Sequence, residues 1–287
     1  TGSQNIAIGT NCLDANTTGS YNVGIGVNCL TSNTTANNNT AIGLDTLKLN
    51  TTGTNNVAVG ALALDANTSG FSLTAIGDNA LTANTTANYN TAVGRNALLV
   101  NTTGTHNTAL GTQTLASNTT SNNNTAVGMS ALAVNTGANN TAVGSFSLDA
   151  NTSGARNSAF GDAAGGSNTT GNDNAAFGSF ALTLNTTGAQ NTACGGYALN
   201  KTTTANANTA VGYLSLFENT TGTRNTAVGT LTLDANTTAN DNTAIGHAAL
   251  GDNTTGSQNV AVGRGASASN TTADFNTAVG FYALLNA

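Results

Sequence analysis

The sequence predicts an all-β chain, a parallel β-roll or β-solenoid in which each copy of a 17-residue repeat forms one coil. Three observations carry that prediction. A pentad of the type N-T-A-V-G begins at Asn5, Asn22, Asn39 and Asn56 and recurs to Asn276, seventeen times in all. A short fixed period means one supersecondary unit stacked on itself. The fifth residue of the unit is Gly in every copy, from Gly9 to Gly280. Finally, apolar residues do not recur at i, i+3, i+4 and i+7, and each unit carries one or two glycines with Asn and Thr at its boundaries, which excludes helix. One step is short: Asn124 to Asn140 is 16 residues, because that copy has lost a residue from its N-T-T-G segment. Residues 1–287 read as a single continuous repeat array. Residue one is a Thr in mid-repeat, so the chain is expected to be a fragment of a longer fibre protein.

Numbered from its Asn, the unit is N-T-A-V-G-x-x-A-L-x-x-N-T-T-G-x-x. The stretches T-A-V-G, positions 2–5, and A-L-x, positions 8–10, are short and β-branched or apolar, are separated by turn residues, and predict two short strands per coil. Alternation puts positions 2 and 4 on one face of the first strand and position 3 on the other. Position 3 is Ala in every copy except at Gly24, whereas position 4 admits Ile8, Val59, Leu110, Phe160 and Cys194. The invariant Gly of position 5 is a backbone requirement, either φ > 0 or a close approach of another backbone. Position 9 is Leu except at Gly165 and Ser267. Positions 1 and 12 are Asn columns, broken at Leu73 and Thr202 respectively. Asn suits a turn because it tolerates left-handed φ and bonds its own backbone, and stacked Asn amides also form ladders. The N-T-T and N-T-S runs at Asn16, Asn33 and Asn67 are also glycosylation sequons, and turn chemistry accounts for their Asn with or without a glycan.

Two bulky columns, at positions 4 and 9, suit a flattened two-sided roll rather than a triangular coil of three hexapeptides. Stacked at about 4.8 Å per coil, the copies would make a rod roughly 80 Å long. Two bulky side chains are a small core against the ordering of 17 backbones, so an oligomer is expected. The Ala column is assigned to the contact between chains, with the reverse arrangement, Ala inside and position 4 between chains, as the alternative.

In this pattern the unit resembles the head repeats of trimeric autotransporter adhesins, the YadA-like head family, whose shorter unit reads S-V-A-I-G-x-x-A-x-A-x-G-x-x. Here T-A-V-G-x-x-A-L-x supplies the matching core, and N-T-T-G replaces a shorter turn ending in Gly. Similar N-T-A-V-G-x-x-A-L-x-x-N-T-T-G arrays occur in phage tail-fibre-like proteins that end in an endosialidase-type chaperone domain. The resemblance covers the whole chain. It implies a left-handed parallel β-roll, three chains side by side as a homotrimer, on an extracellular cell-surface fibre or a virion tail fibre.

Composition narrows the function classes. Only 6% of residues are charged, where ordinary domains carry roughly 25%. The net charge of −6 is dispersed, so no basic patch for nucleic acid is present. No apolar run approaches the roughly 18 residues of a membrane helix. His106 and His247 lie roughly 40 Å apart along the predicted axis, and Asp14, Asp65, Asp149 and Asp234 share position 10 but stand at least three coils apart. No catalytic, cofactor-binding or metal-binding residue is therefore assigned, no cofactor is expected, and the chain is not expected to be an enzyme. Cys12, Cys29 and Cys194 read as small buried hydrophobes. Cys12 and Cys29 stand in consecutive copies, within reach of a bridge. Gly165, Ser267 and Leu73, the last beside Phe71, mark irregular copies that are local drift or docking breaks. The expected function is a structural and adhesive segment that attaches through many copies at once to a surface receptor or glycan. A tail-fibre shaft, a ligand-free matrix filament and an ice-binding β-solenoid are the alternatives. The consecutive Thr of positions 13 and 14 count against ice binding, since alternation would put their hydroxyls on opposite faces.

Overall fold

Each copy contributes one three-residue strand at positions 2–4, and every strand pairs in parallel with strands 17 residues away. The computed structural model describes residues 2–285, and the chain divides in sequence after Asn139, the last residue of the 16-residue copy, into two compact units. The first holds strands β1 (Ile6–Ile8), β2 (Val23–Ile25) and onward to β8 (Thr125–Val127). The second holds β9 (Thr141–Val143) through β17 (Thr277–Val279). Register is constant: Ile6 lies on Val23, Ala7 on Gly24 and Ile8 on Ile25, and the same positions stack in later pairs. Each unit is a parallel β-solenoid, and no helix occurs among the described residues.

The strands are short because position 5 ends them. Its glycines hold φ between +124° and +142°, a region essentially reserved for Gly. They also stack closely: a Cβ on Gly94 would lie 2.4 Å from the Gly111 carbonyl oxygen. Both reasons offered by the sequence for an invariant Gly hold at once.

The second predicted strand does not form. Positions 6–11 are turns, because positions 7 and 9 are left-handed: Asn28 has φ 55° and Leu30 φ 50°. Alternate N–H groups of the stretch nevertheless bond to adjacent coils. The N–H groups of Gly26 and Asn28 donate to Ile8 and Thr10 of the preceding coil, whereas Leu30 and Ser32 donate to Thr46 and Lys48 of the following one. Left-handed Leu costs roughly 1–2 kcal/mol per residue. Burying the Leu side chain contributes roughly 1.5–3 kcal/mol, which offsets the strain. Leu47, Leu64, Leu81 and Leu98 are all fully buried. Position 17 is also left-handed, from Gln4 to Phe275. Each coil is bent at four such points, only one of which is visible as an invariant Gly.

The interior consists of Ala at position 3, a small residue at 8, Leu at 9, the two Asn columns and a small residue at 15. Ala41, Ala58, Ala75 and Ala92 are fully buried. The Ala column is thus inside the roll, and its assignment to a contact between chains is corrected. A coil this narrow leaves room for one bulky side chain, the Leu, and for nothing larger than a methyl opposite it. Position 4 faces outward and is not a core column.

Polar groups satisfy the rest of the interior. Asn39 Nδ2 donates to the Gly53 carbonyl at 2.9 Å, while its backbone N–H donates to Asn22 Oδ1 at 3.0 Å. At position 12, Asn67 Nδ2 donates to Asn50 Oδ1 at 2.9 Å and to the Gly70 carbonyl at 3.1 Å, and Asn84 Nδ2 repeats the link to Asn67 Oδ1. Turn bonding and ladder are made by the same amide, though none of these Asn is left-handed. Asn33 and Asn67 are wholly buried, so the folded chain does not present those sequon amides to solvent. At position 13, Thr51 Oγ1 donates to the Thr68 carbonyl at 3.0 Å, and equivalent bonds recur at Thr152 and Thr220.

Two breaks in the position-12 ladder leave buried oxygens unpaired. At the 16-residue copy, Asn135 Nδ2 donates to the Gly137 carbonyl at 2.7 Å, and Asn118 Oδ1 has no partner. At Thr202 the hydroxyl donates forward to the Asn219 carbonyl at 3.0 Å rather than back, and Asn185 Oδ1 has none either. An unsatisfied buried acceptor costs roughly 1–3 kcal/mol. Thr202→Asn is expected to raise stability by about 1 kcal/mol through the restored link. A chemical denaturation midpoint equal to or below that of the parent would show that the orphaned oxygen carries no such cost.

Candidate functional site

The outward face of the strands is the principal candidate. Positions 2 and 4 project away from the interior; position 2 is Thr or Val except at Ile6, Ser158 and Ala175, and position 4 is Val, Ile, Leu or Phe except at Cys194. In the first unit Ile8, Ile42, Ile76 and Leu110 are exposed at position 4, Leu110 by 47%. In the second unit Phe160, Phe177, Val211 and Ile245 are exposed in the same column. Phe160 and Phe177 stack face to face, with centroids 5.0 Å apart and planes 8° from parallel. Each unit presents a stripe: eight strands in the first and nine in the second, at about 4.8 Å spacing and three residues wide, cover on the order of 300 Å². Stripes of that size are at the scale of the largest, often functional, patches on monomeric proteins. Cys194 lies in this column and is exposed, which corrects its reading as a buried hydrophobe.

Two aromatic groups lie on other surfaces. Phe71, Tyr89 and His106 form a run along positions 16 and 17, with Tyr89 stacked 5.0 Å from His106. Phe180 and Tyr197 stack at 5.2 Å on position 7, and Lys201 Nζ lies 4.9 Å from the Phe217 ring centroid. Charges also pair between coils: Arg156 chelates Asp173 at 2.6 and 2.9 Å, and Arg224 chelates Asp241 at 2.7 and 2.8 Å. These hydrogen bonds hold both carboxyls below the usual range. Exposed pairs of this kind contribute little to stability.

The residues singled out individually by sequence do not converge. His106 belongs to the first unit and His247, exposed, to the second. Asp65, Asp149 and Asp234 are half-buried at position 10, and burial pushes their carboxyls above the ordinary value. Asp65 Oδ1 is buried without a hydrogen bond. Among the described residues no group of three His, Cys, Asp or Glu side chains comes together, and there is no cavity. The irregular copies keep their coil paths. Gly165 retains the left-handed φ of position 9 at 60°, where Gly relieves the strain that Leu bears. Ser267 holds φ 51° with its hydroxyl buried and unpaired. Leu73 is buried, and its N–H still donates to Asn56 Oδ1.

The outward face was legible in part: alternation separated positions 2 and 4 from 3 but did not say which side was inside. The usable signal was volume. A column restricted to a methyl in every copy but one marks the tight interior, and a column that varies from Cys to Phe marks a side without a wall.

No protein-family model and no curated protein matches this sequence.

Proposed function

We propose that the chain is a structural and adhesive segment of an extracellular trimeric fibre, which attaches multivalently to a surface. The observation that supports this reading is the continuous apolar stripe at position 4 of each unit, with Ile42, Ile76 and Leu110 in the first and Phe160 and Phe177 in the second. A solenoid that exposes one apolar column and encloses the other is suited to bury the first against copies of itself. The same reading takes the roll as left-handed and the fibre as homotrimeric, with the position-4 face on the seam. The remaining faces, weakly charged and repeated coil after coil, present identical patches to a receptor or glycan. Many weak contacts made together raise avidity by roughly 10²–10⁴ over one contact. No reaction is assigned to the chain. The Thr hydroxyls of position 13 donate to carbonyls of the next coil, which leaves that column a poor ice-ordering surface.

The test removes the seam and spares the interior. Ile76→Glu combined with Val93→Glu places two carboxylates on adjacent outward strands. The expected product is a monomer that retains its β circular dichroism. Its retention on a glycan array should fall at least about 100-fold, as the lost multivalency requires. A doubly substituted chain that stays oligomeric, or a monomer that binds as well as the parent, would contradict the proposal.

A further inference from the structure

Cys12 and Cys29 occupy position 8 of consecutive copies, and both are buried, Cys12 8% exposed and Cys29 not at all. Their sulfurs are 3.3 Å apart. Equivalent atoms in stacked coils repeat at about 4.8 Å, so the two side chains lean toward each other. The lean is asymmetric. Cys29 Sγ donates to the Gly26 carbonyl of its own coil at 3.1 Å. Cys12 Sγ instead fills space beside Gly24, where a Cβ would lie only 2.4 Å from it. Gly24 is the single departure from Ala at position 3 in all seventeen copies. The missing methyl therefore falls where the sulfur of Cys12 needs the room, and an Ala there would push that sulfur out of reach of its partner.

We propose that Cys12 and Cys29 form an intrachain disulfide that staples the first coil to the second, in a niche that Gly24 opens. Stacked Cα atoms about 4.8 Å apart fall inside the disulfide range, and closure needs only side-chain rotation to bring the sulfurs to about 2 Å. The oxidant is a low-molecular-weight disulfide. The more accessible Cys12 thiolate attacks one of its sulfurs, forming a mixed disulfide and releasing one thiol. Cys29 Sγ then attacks Cys12 Sγ, which forms the bridge and breaks the mixed disulfide, and the departing thiolate takes up the Cys29 proton and leaves as the second thiol. Two protein thiols are oxidised, and one external disulfide is reduced to two thiols. Burial, together with the neighbouring Cys12, pushes the Cys29 thiol up to about 12, which suits Cys29 to the second step rather than the first.

The test uses the full folded chain carrying Cys194→Ser, so that only the pair reacts. The reduced protein is incubated with oxidised glutathione, quenched in acid, denatured and treated with N-ethylmaleimide. The expected product takes up no maleimide and no glutathione and is two hydrogens lighter than the reduced chain. Cleavage before Asp14 should leave the two fragments joined. A lasting glutathione adduct on Cys12, or two thiols still open to maleimide, would overturn the proposal. Adding Gly24→Ala should slow closure by about tenfold or more, since exchange rates depend on access and geometry. Closure at the unchanged rate would overturn the role given to Gly24.

Discussion

Gly94→Ala is expected to destabilise the first unit by about 3 kcal/mol or more, from backbone strain of roughly 1–3 kcal/mol together with overpacking of similar size. Gly94 holds φ +135°, and the added methyl would meet the Gly111 carbonyl oxygen at 2.4 Å and its carbon at 2.6 Å. The neighbour is backbone held in the stack, so it cannot swing aside as a side chain would. Repeat proteins distribute stability over units and nearest-neighbour interfaces. The loss should therefore centre on the coils around Gly94, read as lost amide-exchange protection there and retained protection several copies away. Gly196→Ala is the control. Gly196 lies at position 6, where Ala61 stands in another copy, its added methyl would meet no atom closer than 3.5 Å, and the control should lose far less. Equal losses at the two sites would show that the invariance of position 5 has another cause.

Asn67→Asp should cost more still at neutral pH, although the two side chains have the same shape. The Asn67 amide donates to Asn50 Oδ1 and to the Gly70 carbonyl, so the substitution turns a buried donor into an anion facing two acceptors. Leaving a buried charge uncompensated costs roughly 3–5 kcal/mol. The environment favours the protonated acid, which can donate again, so the folded-state pKa of the introduced carboxyl is raised above its unfolded value. The charge penalty is then full above the folded pKa and disappears as pH falls below the unfolded value of about 3.9. Denaturation midpoints of variant and parent should draw together in acid, short of the one hydrogen bond that a carboxyl's single O–H cannot remake. A deficit that persists undiminished at pH 3 would indicate a packing defect instead of a lost donor.

These two sites also show what the sequence could and could not convey. The 17-residue coil, the parallel stacking and the Gly requirement were legible because each repeats in register, and a backbone constraint that recurs in every copy leaves an invariant residue behind. The left-handed residues at positions 7, 9 and 17 were not, because side chains as different as Asn28, Leu62 and Phe180 occupy position 7 at nearly the same φ. Hydrogen bonds to adjacent coils hold that path whatever the side chain. The apparent second strand, A-L-x, was misread for that reason: its Leu is apolar because it fills the core at a bend, not because it alternates along a strand. The orientation of the first strand was ambiguous by symmetry, since alternation distinguishes two faces without naming either. The asparagine columns announced a turn, but their burial follows from a narrow coil whose interior amides bond to the coils on either side.

The outward strand face remains the centre of the functional account, and the mass of the isolated segment in solution tests it most directly. Sedimentation equilibrium at micromolar concentration should give a species near three times 28.2 kDa, with the β circular dichroism of a folded chain. A well-folded monomer of 28.2 kDa under the same conditions would contradict the account, because the roll would then be self-sufficient with its position-4 column open to water.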